Sequence, residues 1–229
     1  VVMWLWSFRV AESLQASNRR ELSFATTRQG IRIVFGNRIT IGYALTLLFS
    51  GGAFYSFLSS SELIVSEIFD RPSWFVPYFS ITMCVMAAVA LTGSRVVGRV
   101  GARRLGHSAL GFQLAVSLLM LIVALATNGV PPVGMWMVLM SAQIAAMVVM
   151  MPNMTTLALE PMGPLAGTAA STIGFITLAL GAILGAAIDR QIATTVTPLA
   201  IGYFAYTTVA VLVVMAMIPK KETTEIGDN

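Results

Sequence analysis

The chain has 229 residues, of which 57% are hydrophobic and only 10% are charged, and its mean hydropathy is +0.83. A water-soluble domain needs more charge than this to keep its surface hydrated, so the composition excludes an ordinary soluble fold. The net charge of +4 would suggest nucleic-acid binding in a soluble protein, but no basic stripe with interleaved aromatic residues is present. The composition therefore indicates a membrane protein.

Residues 1–38 precede the first long apolar stretch. Residues 1–10 begin with Val1 rather than Met and are short, aromatic and apolar, so we expect them to be the end of a preceding transmembrane helix and the chain to be a fragment. Residues 11–38 are polar and basic and contain no run long enough to span a bilayer. We expect them to form a cytoplasmic linker that includes a partly amphipathic helix.

From residue 39 onward, charged residues occur in short clusters that separate apolar stretches. The charge-free stretches are residues 39–61, 72–94, 105–159, 161–187 and 191–219. A hydrocarbon core of about 30 Å is crossed by a helix of roughly 20 apolar residues. The third stretch is long enough for two crossings, and the sequence from Asn128 to Pro132 predicts the turn between them. The pattern therefore predicts a bundle at residues 39–218, with helices at residues 39–62, 73–93, 105–127, 133–154, 166–188 and 198–218, and a tail at residues 219–229.

The distribution of the 14 Lys and Arg residues predicts the orientation of the bundle. If the six helices alternate in direction, every basic residue except Arg71 and Arg190 falls on one side of the membrane. The positive-inside rule places that side, and with it both ends of the segment, in the cytoplasm.

The sequence gives little support for enzymes, channels or metal sites. One Cys and one His cannot assemble a metal cluster, and we expect neither a metal nor a cofactor. An intramembrane hydrolase needs a Ser/His pair, paired Asp residues or a metal within the helices, and none of these arrangements is visible. No selectivity-filter sequence is present either. A non-enzymatic membrane protein is the remaining class.

The basic segment between the second and third predicted helices carries a recognisable motif. Residues 93–105 read Gly-Ser-Arg-Val-Val-Gly-Arg-Val-Gly-Ala-Arg-Arg-Leu. This segment resembles the Gly-x-x-x-Asp-Arg-x-Gly-Arg-Arg loop of the major facilitator superfamily, which joins the second and third helices of each six-helix half. Gly98 stands where the family has Asp. The resemblance implies a gating loop formed by Arg99, Gly101, Arg103 and Arg104.

Two further segments narrow the resemblance. Residues 151–174 contain Pro-Asn, Ala-Leu-Glu-Pro and Ala-Gly-Thr-Ala-Ala-Ser in an order similar to that of drug-resistance transporters of the bicyclomycin-resistance (Bcr/CflA) type. Residues 54–67 resemble the seventh helix of those proteins, although Glu62 stands where they usually carry Pro. The resemblance covers nearly the whole chain as the C-terminal half of such a transporter.

The resemblance implies a fold and a function. The fold is all-α and polytopic, a six-helix C-terminal bundle of a twelve-helix major facilitator protein that needs an N-terminal six-helix half as its partner. The implied function is proton-coupled antiport across the bacterial inner membrane, exporting small amphipathic or cationic drug-like compounds by alternating access. Two alternatives remain open: a major facilitator transporter of another small metabolite, and a half-length fragment that does not transport.

In such transporters the first and fourth helices of each half line the cavity, which points to particular side chains here. Aromatic faces suit organic cations, amides and hydroxyls supply polar contacts, and Met side chains adapt to varied ligands. The predicted substrate-binding residues are Tyr43, Phe54, Tyr55, Ser59, Gln143, Met147, Met150 and Asn153.

The residue types themselves predict coupling and packing residues. Glu62 is the predicted proton-coupling carboxylate of this half, although we expect the main protonation site in the missing half. Gly174, Gly181 and Gly185 form a small-residue stripe that predicts close helix packing in the fifth helix.

Overall fold

The computed structural model describes residues 24–217, so the predicted preceding helix at residues 1–10 and the tail at residues 219–229 lie outside the described residues. The described part is helical throughout, apart from short connections. The α-helices in chain order are α1 (Phe24–Gly36), α2 (Arg38–Leu63), α3 (Pro72–Val100), α4 (Ala102–Ala126), α5 (Val133–Leu159), α6 (Ala166–Phe175), α7 (Gly181–Asp189) and α8 (Thr197–Met217). A π-helical turn, Ile64–Ile68, continues α2, and another, Ile176–Leu180, joins α6 to α7.

The helices divide into six crossings. Five helical stretches are long and apolar enough to span a membrane, and one of them, Val133–Asp189, has 57 residues. At 1.5 Å per residue that stretch would be roughly 85 Å long, far more than one crossing requires. It is broken at Gly163, whose φ of 42° and ψ of −115° are not helical, within the 3₁₀ segment Glu160–Leu165. The predicted all-α, six-helix polytopic bundle is therefore confirmed.

The ends of several helices follow from local sequence. The side chain of Asn37 accepts hydrogen bonds from the backbone N–H groups of Ile39 and Thr40, both at 3.0 Å, and so caps α2. The turn predicted between Asn128 and Pro132 is confirmed, because α4 ends at Ala126 and α5 begins at Val133.

The basic connection is shorter than the sequence suggested. Helix α3 does not end near residue 93 but continues to Val100, since nothing before Gly101 stops it. Gly101 alone reverses the chain, with a φ of 85° that favours glycine. Arg99 therefore lies in the last turn of α3, while Arg103 and Arg104 lie in the first turn of α4.

Helix α2 occupies the centre of the bundle. It packs against α5, α7 and α8, and 67% of the residues in its most apolar segment are buried. The corresponding fraction for α3 is 11%, and α3 packs mainly on α5. Helix α4 packs on α5 and α8. The largest fully buried side chains come from α2, α4, α5 and α8, and include Tyr43, Phe57, Met120, Ile144, Met147 and Tyr203.

Hydrogen bonds connect distant parts of the chain at both ends of the bundle. At the end that carries the basic turn, here called the basic end, the Thr40 hydroxyl donates to the carbonyl of Ala158 at 2.9 Å. At the opposite end, the backbone N–H of Val196 donates to the carbonyl of Gly129 at 2.9 Å. Helix α1 lies at the basic end and inserts Val34 between Met162 and Ala169.

Candidate functional site

The predicted substrate-binding residues separate into two groups in the structure. Tyr43, Gln143, Met147 and Met150 are 0–1% exposed, and Asn153 is 8% exposed. They lie in the interior where α2, α4 and α5 meet. Phe54, Tyr55 and Ser59 lie farther along α2, where Tyr55 and Ser59 contact α7. The structure thus does not gather the eight residues around one opening.

Two glutamines have unsatisfied amides inside the bundle. Gln143 on α5 and Gln113 on α4 are both 0% exposed, and neither side-chain oxygen nor nitrogen has a hydrogen-bond partner within the described residues. A buried amide without a partner costs about 1–3 kcal/mol. These amides therefore mark the positions in the interior where a water molecule or a polar ligand group would be most stabilising.

An open groove runs between α3 and α5 near the opposite end, and we call it the α3–α5 groove. Its volume is about 670 Å³, and its lining residues are Trp74, Pro77, Tyr78, Ile81, Val85, Gly134, Met137, Val138, Ser141 and Ala142. Binding sites for small organic ligands usually have volumes of about 300–1,000 Å³ and mostly apolar walls. The groove has the size and lining of such a site.

Polar groups in the α3–α5 groove are few and placed together. The hydroxyls of Thr82 and Ser141 share a hydrogen bond of 3.0 Å, and the buried Tyr78 hydroxyl bonds to both residues. At the groove mouth, the guanidinium of Arg71 lies 5.8 Å from the centre of the Trp74 ring, a cation–π distance. Of this hydroxyl cluster, Tyr78 and Ser141 line the groove, whereas Thr82 is fully buried.

Sequence reasoning missed this groove because it concentrated on the first and fourth crossings. A signal was present in the second crossing: Trp74, Tyr78, Ile81 and Val85 recur at helical spacing and place aromatic and apolar groups on one face of α3. In a helix that is apolar on all sides, this stripe does not stand out from ordinary lipid-facing residues.

The basic end holds a second polar cluster. The Tyr43 hydroxyl and the Nε2 atom of His107 share a hydrogen bond of 3.2 Å, and Arg103 also bonds to the Tyr43 hydroxyl. Of the predicted gating residues, Arg99, Gly101 and Arg104 are exposed, whereas Arg103 is half-buried against α2. Among the predicted gating residues, Arg103 is thus the one that contacts the first crossing.

The predicted packing glycines differ in their surroundings. A Cβ at Gly185 would lie 3.0 Å from the backbone nitrogen of Ser56 and 3.1 Å from the carbonyl oxygen of Gly52. Gly181 lies against Tyr55 and Gly52, whereas Gly174 is exposed and has no neighbouring atom within 4 Å. Two of the three glycines therefore line the contact between α7 and α2.

The contact between α7 and α2 brings together a carboxylate that sequence reasoning overlooked. Asp189 accepts hydrogen bonds from the hydroxyls of Ser56 and Ser59. The predicted coupling residue Glu62 is exposed, and its carboxylate is 3.5 Å from the Ser66 hydroxyl. Asp189 lies at the boundary of a charge-free stretch, so the sequence alone predicts that it belongs to a loop between crossings.

Comparison with known proteins gives two relatives. The chain is 25% identical over 193 residues to the bicyclomycin resistance protein homolog of Haemophilus influenzae, a match that covers 84% of this chain and 48% of the relative. It is 23% identical over 185 residues to an MFS-type transporter, YdgK, of Bacillus subtilis, covering 80% of this chain and 45% of the relative. The chain resembles major facilitator transporters along most of its length. The resemblance inferred from the motifs is thus confirmed.

The match covers only part of the length of each relative. The chain spans about half the length of the curated relatives it matches. No protein-family profile matches the chain, and no solved structure matches it significantly. The similarity to major facilitator transporters therefore rests on the two relatives, on the order of the motifs and on the six-crossing bundle.

Proposed function

We propose that the chain is the C-terminal half of a drug exporter of the major facilitator type, which works with an N-terminal six-helix half in a bacterial inner membrane. In this proposal the intact protein exchanges protons for small amphipathic or cationic compounds by alternating access. The basic end faces the cytoplasm, as the positive-inside rule favours.

The α3–α5 groove is the observation that carries this proposal. Its apolar walls favour an amphipathic compound over a polar metabolite, because a sugar or an acid would leave polar groups without partners there. The Arg71 guanidinium already lies over the Trp74 ring at the mouth, so a cationic group of a substrate would have to displace it to reach that face. The relative named for bicyclomycin resistance supports export of a drug-like compound.

We assign the substrate path to the α3–α5 groove and to the predicted residues of the first and fourth crossings. Gln143 is the member of the predicted set with the clearest chemical need for a ligand, because its buried amide has no partner among the described residues. Glu62 remains the predicted coupling carboxylate of the first crossing. Its exposed position leaves it accessible to protons.

Dependence on the proton gradient tests the proposed function. Cells that express the intact protein should accumulate less of a fluorescent organic cation than cells with an empty vector. A protonophore should raise accumulation to the empty-vector level, because export loses its driving force. Accumulation that stays low after the gradient collapses would reject proton coupling. Equal accumulation in expressing and empty-vector cells, with the protein present in the membrane, would reject export.

A second prediction concerns the unpartnered amides. Gln143→Met should leave stability unchanged or raise it by up to about 1–3 kcal/mol, because it removes a buried amide without a partner. The same change should alter the relative export of a panel of drugs, because a polar contact with the substrate is lost. Thermal unfolding in detergent and export assays measure the two effects.

Gln113→Met is the matched control, because Gln113 is equally buried and unpartnered but lies on the third crossing. It should raise stability in the same way without changing the drug profile. An unchanged profile in Gln143→Met, or an equal change in both variants, would remove Gln143 from the substrate path.

A further inference from the structure

At the opposite end of the bundle, a carboxylate joins the first and fifth crossings. The hydroxyl of Ser56 donates to Oδ1 of Asp189 at 2.5 Å, and the hydroxyl of Ser59 donates to Oδ2. Ser56 is fully buried and Asp189 is half-buried. Each carboxylate oxygen therefore has its own hydroxyl donor, and both donors come from α2.

The surrounding helices hold this arrangement in place. Gly185, one turn before Asp189, packs directly on the backbone of α2 at Ser56. The Tyr203 hydroxyl donates to the carbonyl of Ala53 at 2.8 Å, and the Tyr206 hydroxyl donates to the carbonyl of Leu184 at 2.9 Å. Helix α8 is thus bonded to both partners of the α2–α7 contact, which fixes the carboxylate beside the two serines.

We propose that Asp189, Ser56 and Ser59 form a proton-binding site that links the first and fifth crossings. When Asp189 is ionised, both oxygens accept hydrogen bonds, and such charge-assisted bonds are about twice as strong as neutral ones. When the carboxylate binds a proton, one oxygen becomes an O–H donor, and the hydrogen bonds to both serines lose their charge assistance. Proton binding therefore weakens the link between α2 and α7.

Ser59 has an alternative partner ready for the protonated state. Its Oγ lies 3.0 Å from the carbonyl of Tyr55 and 3.3 Å from the carbonyl of Ser56. When Asp189 carries a proton, the Ser59 hydroxyl can donate to α2 itself. The link then breaks without leaving the hydroxyl unsatisfied, which permits a reversible change.

The charged and titratable groups around Asp189 come from each element packed on α7. Helix α8 contributes Tyr203 and Tyr206, which interact electrostatically with Asp189. Helix α2 contributes Tyr55, which contacts α7 at Gly185, and carries Glu62 three residues after Ser59. The turn Ile176–Leu180 carries no titratable side chain. Arg190 follows in the chain.

Proton binding can be measured without transport. We would record infrared difference spectra of the full chain in lipid nanodiscs during an acid titration, and follow backbone hydrogen exchange of residues 50–68. Among the carboxylic-acid bands that appear on acidification, one should be missing from Asp189→Asn, while the bands of the other carboxyl groups remain. Ser59→Ala should shift the position of this band, because the carboxyl group loses a hydroxyl partner. Exchange of residues 50–68, expressed relative to the intrinsic exchange rate at each pH, should rise several-fold on acidification in the wild type but not in Asp189→Asn.

Glu67→Gln is the control for other carboxylates at this end, because Glu67 is exposed and lies outside the site. It should lose a different band and keep the pH-dependent exchange. If Asp189→Asn does not fold, an unshifted band in Ser59→Ala overturns the proposal. A set of acid bands in folded Asp189→Asn identical to that of the wild type, or protection of residues 50–68 that does not change with pH in the wild type, also overturns it.

The proposal extends the coupling step of the proposed function, but the spectroscopic test does not depend on that function. If the Asp189 band is present while export ignores the proton gradient, the site stands and the proposed function fails. If the band is absent while export follows the gradient, the site fails and the proposed function stands.

Discussion

Gly185→Leu should destabilise the bundle by about 1–3 kcal/mol, while Gly174→Leu in the same crossing should not destabilise it. At Gly185, an added Cβ would meet the backbone of Ser56 at 3.0 Å and that of Gly52 at 3.1 Å. Backbone atoms cannot rotate away as a flexible side chain can, so α7 has to move away from α2. That movement also stretches the hydrogen bonds from Ser56 and Ser59 to Asp189.

Gly174→Leu is a stringent control because the substitution is identical and only the surroundings differ. Gly174 is exposed, with no atom within 4 Å of an added Cβ. Leu is favoured over Gly in a helix by roughly 1 kcal/mol, so this variant should be neutral or slightly more stable. The temperature at which half the detergent-solubilised protein remains monodisperse measures both effects. Equal destabilisation at the two positions would show that close packing at Gly185 does not decide stability.

The number of crossings could be predicted from the sequence because bilayer thickness imposes it. Charge interrupts the chain where it leaves the hydrocarbon, and the segment from Asn128 to Pro132 cannot continue a helix. The position of a helix end is less constrained. Helix α3 continues to Val100, because the backbone groups of a helix are hydrogen-bonded to each other both in lipid and at the membrane surface. The drop in hydropathy near residue 93 therefore does not end the helix.

The contacts between crossings were harder to predict because the surrounding lipid is as apolar as the interior. In a water-soluble bundle the polar face of a helix shows which side is buried. Here Tyr43 is buried and Phe175 is 69% exposed, although both lie in apolar helices. The sequence therefore identified Ser59 and Gln143 as polar residues within crossings, but it did not show that Ser59 contacts Asp189.

The α3–α5 groove was also hard to predict from the sequence. It depends on the separation of two helices, and residue types alone do not determine that distance. The predicted residues on α5 point into the interior at Gln143, Met147 and Met150, while Gly134, Met137 and Ser141 of the same helix line the groove. The two sets therefore lie on different faces of α5, and residue types alone do not show which face borders a groove.

Filling the α3–α5 groove should reduce export by about tenfold, which corresponds to a loss of about 1.4 kcal/mol of substrate interaction. Gly134 lines the groove, and an added Cβ there has no neighbour within 4 Å. Gly134→Trp would place an indole ring beside Trp74 and Met137 and exclude an organic cation from the same volume. The measurement is the rate of dye efflux from preloaded cells, divided by the amount of protein in the membrane.

Gly111→Trp is the matched control, because Gly111 is also a helical glycine with open space around it but lies on α4 away from the groove. It should retain efflux at the wild-type rate, since the added ring occupies no part of the groove. Wild-type efflux from Gly134→Trp, at the same protein level, would place the substrate path elsewhere. A tenfold loss confined to Gly134→Trp would instead mean that the second crossing forms one wall of that path. This crossing, α3, is the most exposed of the five apolar helical stretches in the described part of the chain.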